Sequence, residues 1–319
     1  MKIENKIKRL IKHSDNVFII AHKNLDLDAL GACVGVSTIC NHFSKENYTI
    51  IDDEKHELGV EKALYEIKEN LKTIKSEELS KYCTKRSLLI IVDTNKAHLL
   101  QNDEIINYFN KIIILDHHQE TEQTITNTLN VINEEASSAC EIVVGLINKY
   151  NVSIKPILAT VILSGIVLDT NNFVVKTDID TYYAAYLLTK QKADPRKVQY
   201  YLKQDIKDYI IRQKVITEVE IINDKYALSV APEGLKYKRE ELAKIADTLL
   251  QFNHIKASFV IGNRLDGGVG LSARSEGEIN VGEIAEILGG GGDDFEAASL
   301  IKDKSLDEVQ KELIKILNK

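Results

Sequence analysis

Short apolar runs punctuate the first half of the chain, with helical patterns between them. The runs at 17–21 (VFIIA), 88–92 (LLIIV) and 112–115 (IIIL) contain no polar residue, and a weaker one occupies 48–51. A run of that length without alternation marks a strand buried on both faces, as in a parallel sheet. Such strands alternating with helices predict an α/β fold, a parallel sheet with helices on both faces. The stretch 156–168 is apolar throughout and looks helical, although period alone does not decide it. Segments 179–190 and 195–215 predict helices, the second long, charged and amphipathic with Pro195 in its first turn. Beyond them the pattern changes to strands at 226–231, 257–262 and 269–273, with a helix at 239–250. This predicts a second, smaller α/β domain. The expected division is 1–190 for the first domain, 191–215 for a helical linker and 216–319 for the second domain.

A length of 319 residues suits two domains, and 44% hydrophobic content suits two real cores. The net charge of −7 excludes broad binding to long duplex nucleic acid, which needs a basic footprint. It leaves room for a small phosphorylated ligand held by a metal and a few local cations. Cys33, Cys40, Cys83 and Cys140 form no C-x-x-C pair and have no histidine at zinc-finger spacing, which predicts free thiols in a reducing compartment. The basic, amphipathic start (MKIENKIKRLIKHSDN) lacks a signal-peptide core, and no apolar run approaches a membrane span. The expectation is a cytoplasmic chain with no membrane contact; a homodimer stays open.

The chemistry collects where the apolar runs end. VFIIA leads into His22-Lys23-Asn24-Leu25-Asp26-Leu27-Asp28, LLIIV into Asp93-Thr94, and IIIL into Asp116-His117-His118. A fourth apolar stretch, GIVL, leads into Asp169-Thr170. Open α/β sheets bind ligands at the carboxyl ends of their strands, so these junctions converge if the strands are neighbours. Carboxylates packed together repel, and divalent cations relieve that repulsion. Carboxylates with a minority of imidazoles suit Mn²⁺, Mg²⁺ or Fe²⁺ better than a structural zinc. A pair of such ions suits phosphoryl hydrolysis. A single strand–Asp junction is weak evidence, because Asp is also a common helix N-cap; four coincident junctions favour metal. Asp116 has the alternative of a buried group that orients His118.

Three further features point to a bound phosphate. The run Gly289-Gly290-Gly291-Gly292 cannot form a regular element cheaply, allows close backbone approach and offers N–H groups to an anion. Its alternative is a turn before a helix at 295–301. Arg274 offers bidentate phosphate contacts or a surface ion pair. Ser137 and Ser138 precede a helix beginning near Cys140, where they bind phosphate or cap the helix.

Together these motifs make the chain resemble the DHH/DHHA1 phosphoesterases along nearly its whole length. H-x-N-x-D-x-D is His22 to Asp28, the second motif is Val92-Asp93-Thr94, DHH itself is Asp116-His117-His118, and the fourth is Asp169. The glycine run, with Ser272-Ala273-Arg274-Ser275 before it, resembles the DHHA1 substrate domain. The resemblance implies two divalent ions, most commonly Mn²⁺. His22, Asp26 and Asp93 would hold one; Asp28, Asp93, His117 and Asp169 the other, with Asp93 shared. It places His118 beside the phosphate and implies hydrolysis by a metal-activated hydroxide. Substrate contacts would come from Asn24, Ser137, Ser138, Arg274, Gly290, Gly291 and Gly292.

Within the family the wording is nearest the catalytic part of GdpP-type cyclic-di-AMP phosphodiesterases, expected here as a stand-alone module. That implies cleavage of cyclic-di-AMP or of linear dinucleotides such as pApA. Related activities are cleavage of short RNA (nanoRNase) and of 3′-phosphoadenosine 5′-phosphate, and a nucleotide sensor without turnover is the non-enzymatic alternative. Departures from the family pattern are Leu25, Asn95, Gln119 and, above all, Asp293, where histidine usually follows the glycine run.

Overall fold

A computed structural model describes residues 2–52 and 56–318. The chain divides into two compact units, Met1–Lys203 and Gln204–Lys319. The first unit is a six-stranded parallel sheet formed by β1 (Val17–Ile20), β2 (Asn47–Ile50), β3 (Thr73–Ile74), β4 (Leu88–Val92), β5 (Ile112–Asp116) and β6 (Leu129–Ile132). Its order is β3-β2-β1-β4-β5-β6, and each neighbouring pair is parallel. The absence of alternation in the apolar runs is explained by two cores. Val17, Ile19, Ile90 and Leu115 enter one, and Phe18, Ile20, Ile91 and Ile114 enter the other.

Helices α1 (Ile3–His13), α2 (Leu27–His42), α3 (Leu58–Ile67), α4 (Leu79–Tyr82), α5 (Ala139–Lys149), α6 (Pro156–Asp169), α7 (Ile179–Lys190) and α8 (Pro195–Tyr201) complete this unit. Helices α2 and α6 are buried around almost their whole circumference. That is why the segment 156–168 shows no amphipathic period. Asp169 therefore ends a helix, in keeping with the helical look of 156–168.

The span 195–215, expected as one helix, is two. Helix α8 ends at Tyr201, and α9 (Ile206–Thr217) starts on a new N-cap, Asp205, whose side chain accepts from Lys207 N at 2.7 Å. Val198 and Tyr201 lie in the core of the first unit, and Val215 lies in that of the second. The two helices thus belong to different units instead of forming a separate linker.

The second unit adds β7 (Glu220–Ile222), β8 (Tyr226–Val230), α10 (Arg239–Leu250), β9 (Ala257–Asn263), β10 (Val269–Ser275), α11 (Val281–Ile287), β11 (Gly291–Gly292), β12 (Glu296–Ile301) and α12 (Leu306–Leu317). Its mixed sheet runs β11-β12-β10-β9-β8-β7, with β8–β9 the parallel pair. The segment expected as a helix at 295–301 is strand β12, paired with β10 along its length. All four cysteines are free, and Cys33, Cys40 and Cys140 are buried. Among the described residues no helix is long and apolar enough to cross a membrane.

Candidate metal centre

The strand order reverses between β1 and β4, and a doubly wound sheet opens its ligand crevice at that point. The chain leaving β1 carries His22, Asn24, Asp26 and Asp28. The chain leaving β4 begins with Asp93, and β5 beside it delivers Asp116, His117 and His118. The loop after β1 is tied down by Lys23 N donating to Leu99 O at 2.8 Å. Asp26 is the N-cap of α2: its Oδ1 accepts from Asp28 N and Ala29 N, both at 2.9 Å, leaving Oδ2 to face His22.

Asp93 stands at the centre. It is buried, and its backbone is left-handed (φ 57°), an uncommon and costly state for a residue other than glycine. Its two oxygens point to different histidines. Oδ2 lies 3.3 Å from His22 Nε2, and Oδ1 lies 3.4 Å from His117 Nε2. His22 Nε2 also lies 3.7 Å from Asp26 Oδ2, and His117 Nε2 lies 3.4 Å from Asp169 Oδ2. Two ligand groups result, His22–Asp26–Asp93 and Asp28–His117–Asp169, each with its donor atoms within 4.8 Å of one another; Asp93 also groups with His117 and His118.

The donor set fits metal on three counts. Separations of 3.3–3.7 Å are those of neighbouring ligands around one ion bonded at about 2.1 Å. Asp93 Oδ1 is buried with no hydrogen-bond partner, a state that buried polar atoms rarely tolerate. His22 Nδ1 lies 2.8 Å from Lys23 O, a contact that fixes its proton there and leaves Nε2 as the ligating nitrogen.

The electrostatics agree. Burial and the charge of Asp93 push Asp28 up to about 7 and also raise Asp26. Burial, Asp28 and Asp93 raise Asp169 well above the usual carboxylate range. Burial alone would lower the imidazoles, but the carboxylates outweigh it, carrying His22 up to about 10 through Asp93 and Asp26, and His117 to about 9 through Asp93 and Asp28. Burial likewise opposes ionisation of Asp93, yet His117 and His22 hold it below the normal range. Four carboxylates and two imidazoles that compete for protons in this way make a cluster short of positive charge.

Three supporting contacts hold these residues in place. Both oxygens of Asp28 accept from the first turn of α5, Oδ2 from Ala139 N at 2.7 Å and Oδ1 from Cys140 N at 2.9 Å. Asp116, fully buried, accepts through Oδ1 from His117 N at 2.9 Å, His118 N at 3.3 Å and His118 Nδ1 at 2.8 Å. This is the orienting role that was its alternative reading. Asn95 Nδ2 donates to His118 O at 3.0 Å, so a residue that looked like a departure from the pattern braces the DHH loop.

The remaining expected contacts divide. Asn24 is exposed, with a left-handed backbone (φ 58°), between His22 and Asp26. Ser137 and Ser138 are buried and engaged: Ser137 Oγ donates to Glu141 Oε2 at 2.6 Å, and Ser138 Oγ accepts from Glu141 N at 3.1 Å as the cap of α5. The N-terminal amides of that helix face Asp28, so the capping alternative is the one observed.

In the second unit, Arg274 Nε donates to Asp247 Oδ1 at 2.6 Å and Nη2 lies 3.5 Å from Glu296 Oε2, the ion-pair alternative. Gly289 N and Gly290 N donate to Glu286 O and Ala285 O, both at 2.9 Å. Gly291 and Gly292 form β11 against Ala298 and Ala297. The glycines are therefore a helix end and an edge strand instead of an irregular loop. A side chain at Gly290 would collide with Ser299 Oγ and Ala298 O. Asp293 Oδ1 accepts from Phe295 N and Glu296 N, both at 2.8 Å, so its carboxylate closes the β11–β12 turn.

Comparison with known proteins meets this geometry. Residues 16–166 match the DHH family, N-terminal domain, and residues 223–319 match the DHHA1 domain. The chain is 35% identical to the cyclic-di-AMP phosphodiesterase GdpP of Geobacillus thermodenitrificans over 98% of its own length and 48% of that protein. It spans about half the length of the cyclic-di-AMP phosphodiesterases it matches. It is 26% identical to the bifunctional oligoribonuclease and PAP phosphatase NrnA of Mycoplasma genitalium, over 92% of this chain and 91% of that one. The fold is shared with an exopolyphosphatase-related protein from Bacteroides fragilis, at a TM-score of 0.81 and 16% identity, covering 99% of this chain and 98% of that chain. The chain thus carries a DHH domain over residues 16–166, followed by a DHHA1 domain over residues 223–319.

Proposed function

We propose that this chain is a metal-dependent phosphodiesterase that hydrolyses cyclic-di-AMP or linear dinucleotides such as pApA. The observation that carries the reading is Asp93, a buried carboxylate with one oxygen toward His22 and the other toward His117. His22, Asp26 and Asp93 would hold one divalent ion, and Asp28, Asp93, His117 and Asp169 the other, with Mn²⁺ suited to this oxygen-rich set. When bound, such a pair supplies a Lewis acid for phosphate oxygens and lowers the pKa of water at neutral pH. The chain's own residues do the rest. Asp26 and Asp28 are fixed by the helix N-terminal amides they accept from. Asp116 holds His118 Nδ1 and leaves Nε2 as the free nitrogen of a half-exposed ring (53%), able to reach a phosphate. Asn24 stands exposed beside the cluster as a substrate contact.

The end-to-end match to NrnA supports a second reading, cleavage of short RNA with 3′-phosphoadenosine 5′-phosphate phosphatase activity. One panel separates them: Mn²⁺-loaded protein with cyclic-di-AMP, pApA, short oligoadenylate and 3′-phosphoadenosine 5′-phosphate, products identified by chromatography. The leading reading expects cyclic-di-AMP to yield pApA, or pApA to yield AMP, with both lost in EDTA. Turnover of neither dinucleotide defeats it.

Ion binding is also expected to release protons. His22 near 10 and His117 near 9 carry protons at neutral pH in the ion-free protein, and Asp28 near 7 carries one about half the time. An ion must displace them, so apparent affinity rises with pH through about 7 to 10 and falls on acidification, by about tenfold per pH unit for each proton displaced. Calorimetry of Mn²⁺ binding in buffers of different ionisation enthalpy measures this release. No net release at pH 7 would contradict the assignment.

A further inference from the structure

Glu141 is a buried carboxylate in the first turn of α5, and it stands outside the ligand groups of the metal centre. One of its oxygens serves donors from two parts of the chain. Oε2 accepts from Ser137 N at 3.2 Å and from Ser137 Oγ at 2.6 Å, and Thr181 Oγ1, in the first turn of α7, donates to it at 2.7 Å. The backbone N–H of Glu141 donates in turn to Oγ of Ser138, the cap of α5, at 3.1 Å. A capping box ordinarily returns the third helical side chain to the N–H of the cap residue. Here it returns one residue earlier, to Ser137, so residues 137–141 close on themselves through one side chain. The amides inside that closed turn are those of Ala139 and Cys140, and both are spent on the carboxylate of Asp28, at 2.7 and 2.9 Å.

The contact with Thr181 reaches the other carboxylate of the same ligand group. Asp169 ends α6, and the segment 170–178 carries the chain from it to α7. At the near end Thr170 O accepts from Val174 N at 2.8 Å and Val175 N at 3.0 Å. At the far end Asp178 caps α7, with Oδ1 accepting from Thr181 N at 3.0 Å, and the hydroxyl of that threonine is the one Glu141 holds. Glu141 is thereby joined to the support of Asp28 and to that of Asp169.

We propose that Glu141 is a positioning residue for the ion of the Asp28–His117–Asp169 group, setting Asp28 against Asp169 through Ser137 and Thr181. The inference rests on the two-ion reading of the centre. It separates the two ions, because the supports of the His22–Asp26–Asp93 group lie elsewhere, at the start of α2 and in the loop after β1.

Calorimetric titration of Mn²⁺ into the full chain at fixed pH tests this. Asp169→Asn identifies the binding phase that belongs to the ion in question. Glu141→Gln keeps the shape and removes the charge that the donors share. It should weaken that phase by about ten- to a hundredfold and leave the other phase unchanged. Thr181→Val removes the α7 hydroxyl at nearly the same volume. It should weaken the same phase by a smaller factor, and add little in the Glu141→Gln background, since the two residues act as one unit. Should Glu141→Gln fail to fold, Thr181→Val decides alone. A Glu141→Gln chain that binds both ions as the parent does, even with a lowered melt, makes Glu141 a part of the fold only and overturns the proposal. Equal weakening of both phases overturns it too, as does a Thr181→Val chain that matches the parent. A parent that binds two Mn²⁺ but turns over neither dinucleotide defeats the substrate reading and leaves this test in force. A parent that takes up fewer than two ions overturns the two-ion reading and this inference with it.

Discussion

Asp93→Ala is expected to lower turnover by about a thousandfold or more, since in the proposed site the several kcal/mol that a metal pair would supply in the transition state depends on Asp93 as its shared ligand. The structure explains why no neighbour substitutes. Asp93 sends one oxygen to each side of the cluster, and Asp26, Asp28 and Asp169 each reach one side. Alanine is a blunt test, however, because a residue without a short polar side chain is strained at φ 57°. Asp93→Asn is the cleaner variant: it keeps the shape, tolerates the left-handed backbone and removes only the charge. It should retain the fold, lose turnover to a similar degree, and lose most of the rise in melting temperature that Mn²⁺ gives the parent through preferential binding to the native state. Near-normal activity in Asp93→Asn, or an unchanged Mn²⁺-induced shift, would show that Asp93 is not shared between ions. The melting shift does not depend on the substrate chosen, so it stays informative if the dinucleotide reading fails.

Much of this site was legible in the sequence because buried parallel strands have an unmistakable form. VFIIA, LLIIV and IIIL admit no polar residue, since sheet cores take up both their faces, and the first polar residues after them fall at the crevice. The same reasoning fails where burial is less even. β3 has two residues and β6 is only partly buried, so neither leaves a run to read. β12 (EAASLI) is rich in small helix-tolerant residues, and its strand state comes from pairing with β10 more than twenty residues earlier in the chain. The glycine run was read as irregular because glycine lacks side-chain preference, yet its partners on β12 make it an edge strand.

The supporting contacts were hidden for a different reason. Asp28 meets the amides of Ala139 and Cys140 across more than a hundred residues, and no local pattern encodes that meeting. Ser137 and Ser138 looked like phosphate ligands because hydroxyls before a helix serve either purpose; the buried Glu141 takes one as a donor and is capped by the other. Arg274 and Asp293 have partners within the fold in the same way, one in ion pairs and one closing a turn.

Gly165→Ala should damage the centre from within a helix that supplies only Asp169 to it. A methyl group at Gly165 would come within 2.6 Å of Cys140 Sγ, 2.7 Å of Asp28 Cα and 2.9 Å of Asp28 Oδ1. Helices α2 and α6 therefore cannot keep their present approach, and the displaced group is a candidate ligand together with the residue whose amide holds it. Overpacking of this kind costs about 1–3 kcal/mol of stability. A ligand moved by about 1 Å costs about a hundredfold in rate. Gly145→Ala supplies the control: Gly145 lies on the exposed side of α5, with no atom within 4 Å of the added methyl. There the better helix propensity of alanine should leave stability unchanged or raise it by up to ~1 kcal/mol, with full activity. Denaturant melts and turnover of the two variants side by side separate a general effect of replacing helix glycines from a specific one on Asp28. If both variants melt and turn over alike, the close crossing of α2 and α6 is not what positions Asp28. If Gly165→Ala melts lower but keeps its rate, the crossing serves the fold and the α5 amides alone hold the carboxylate in place.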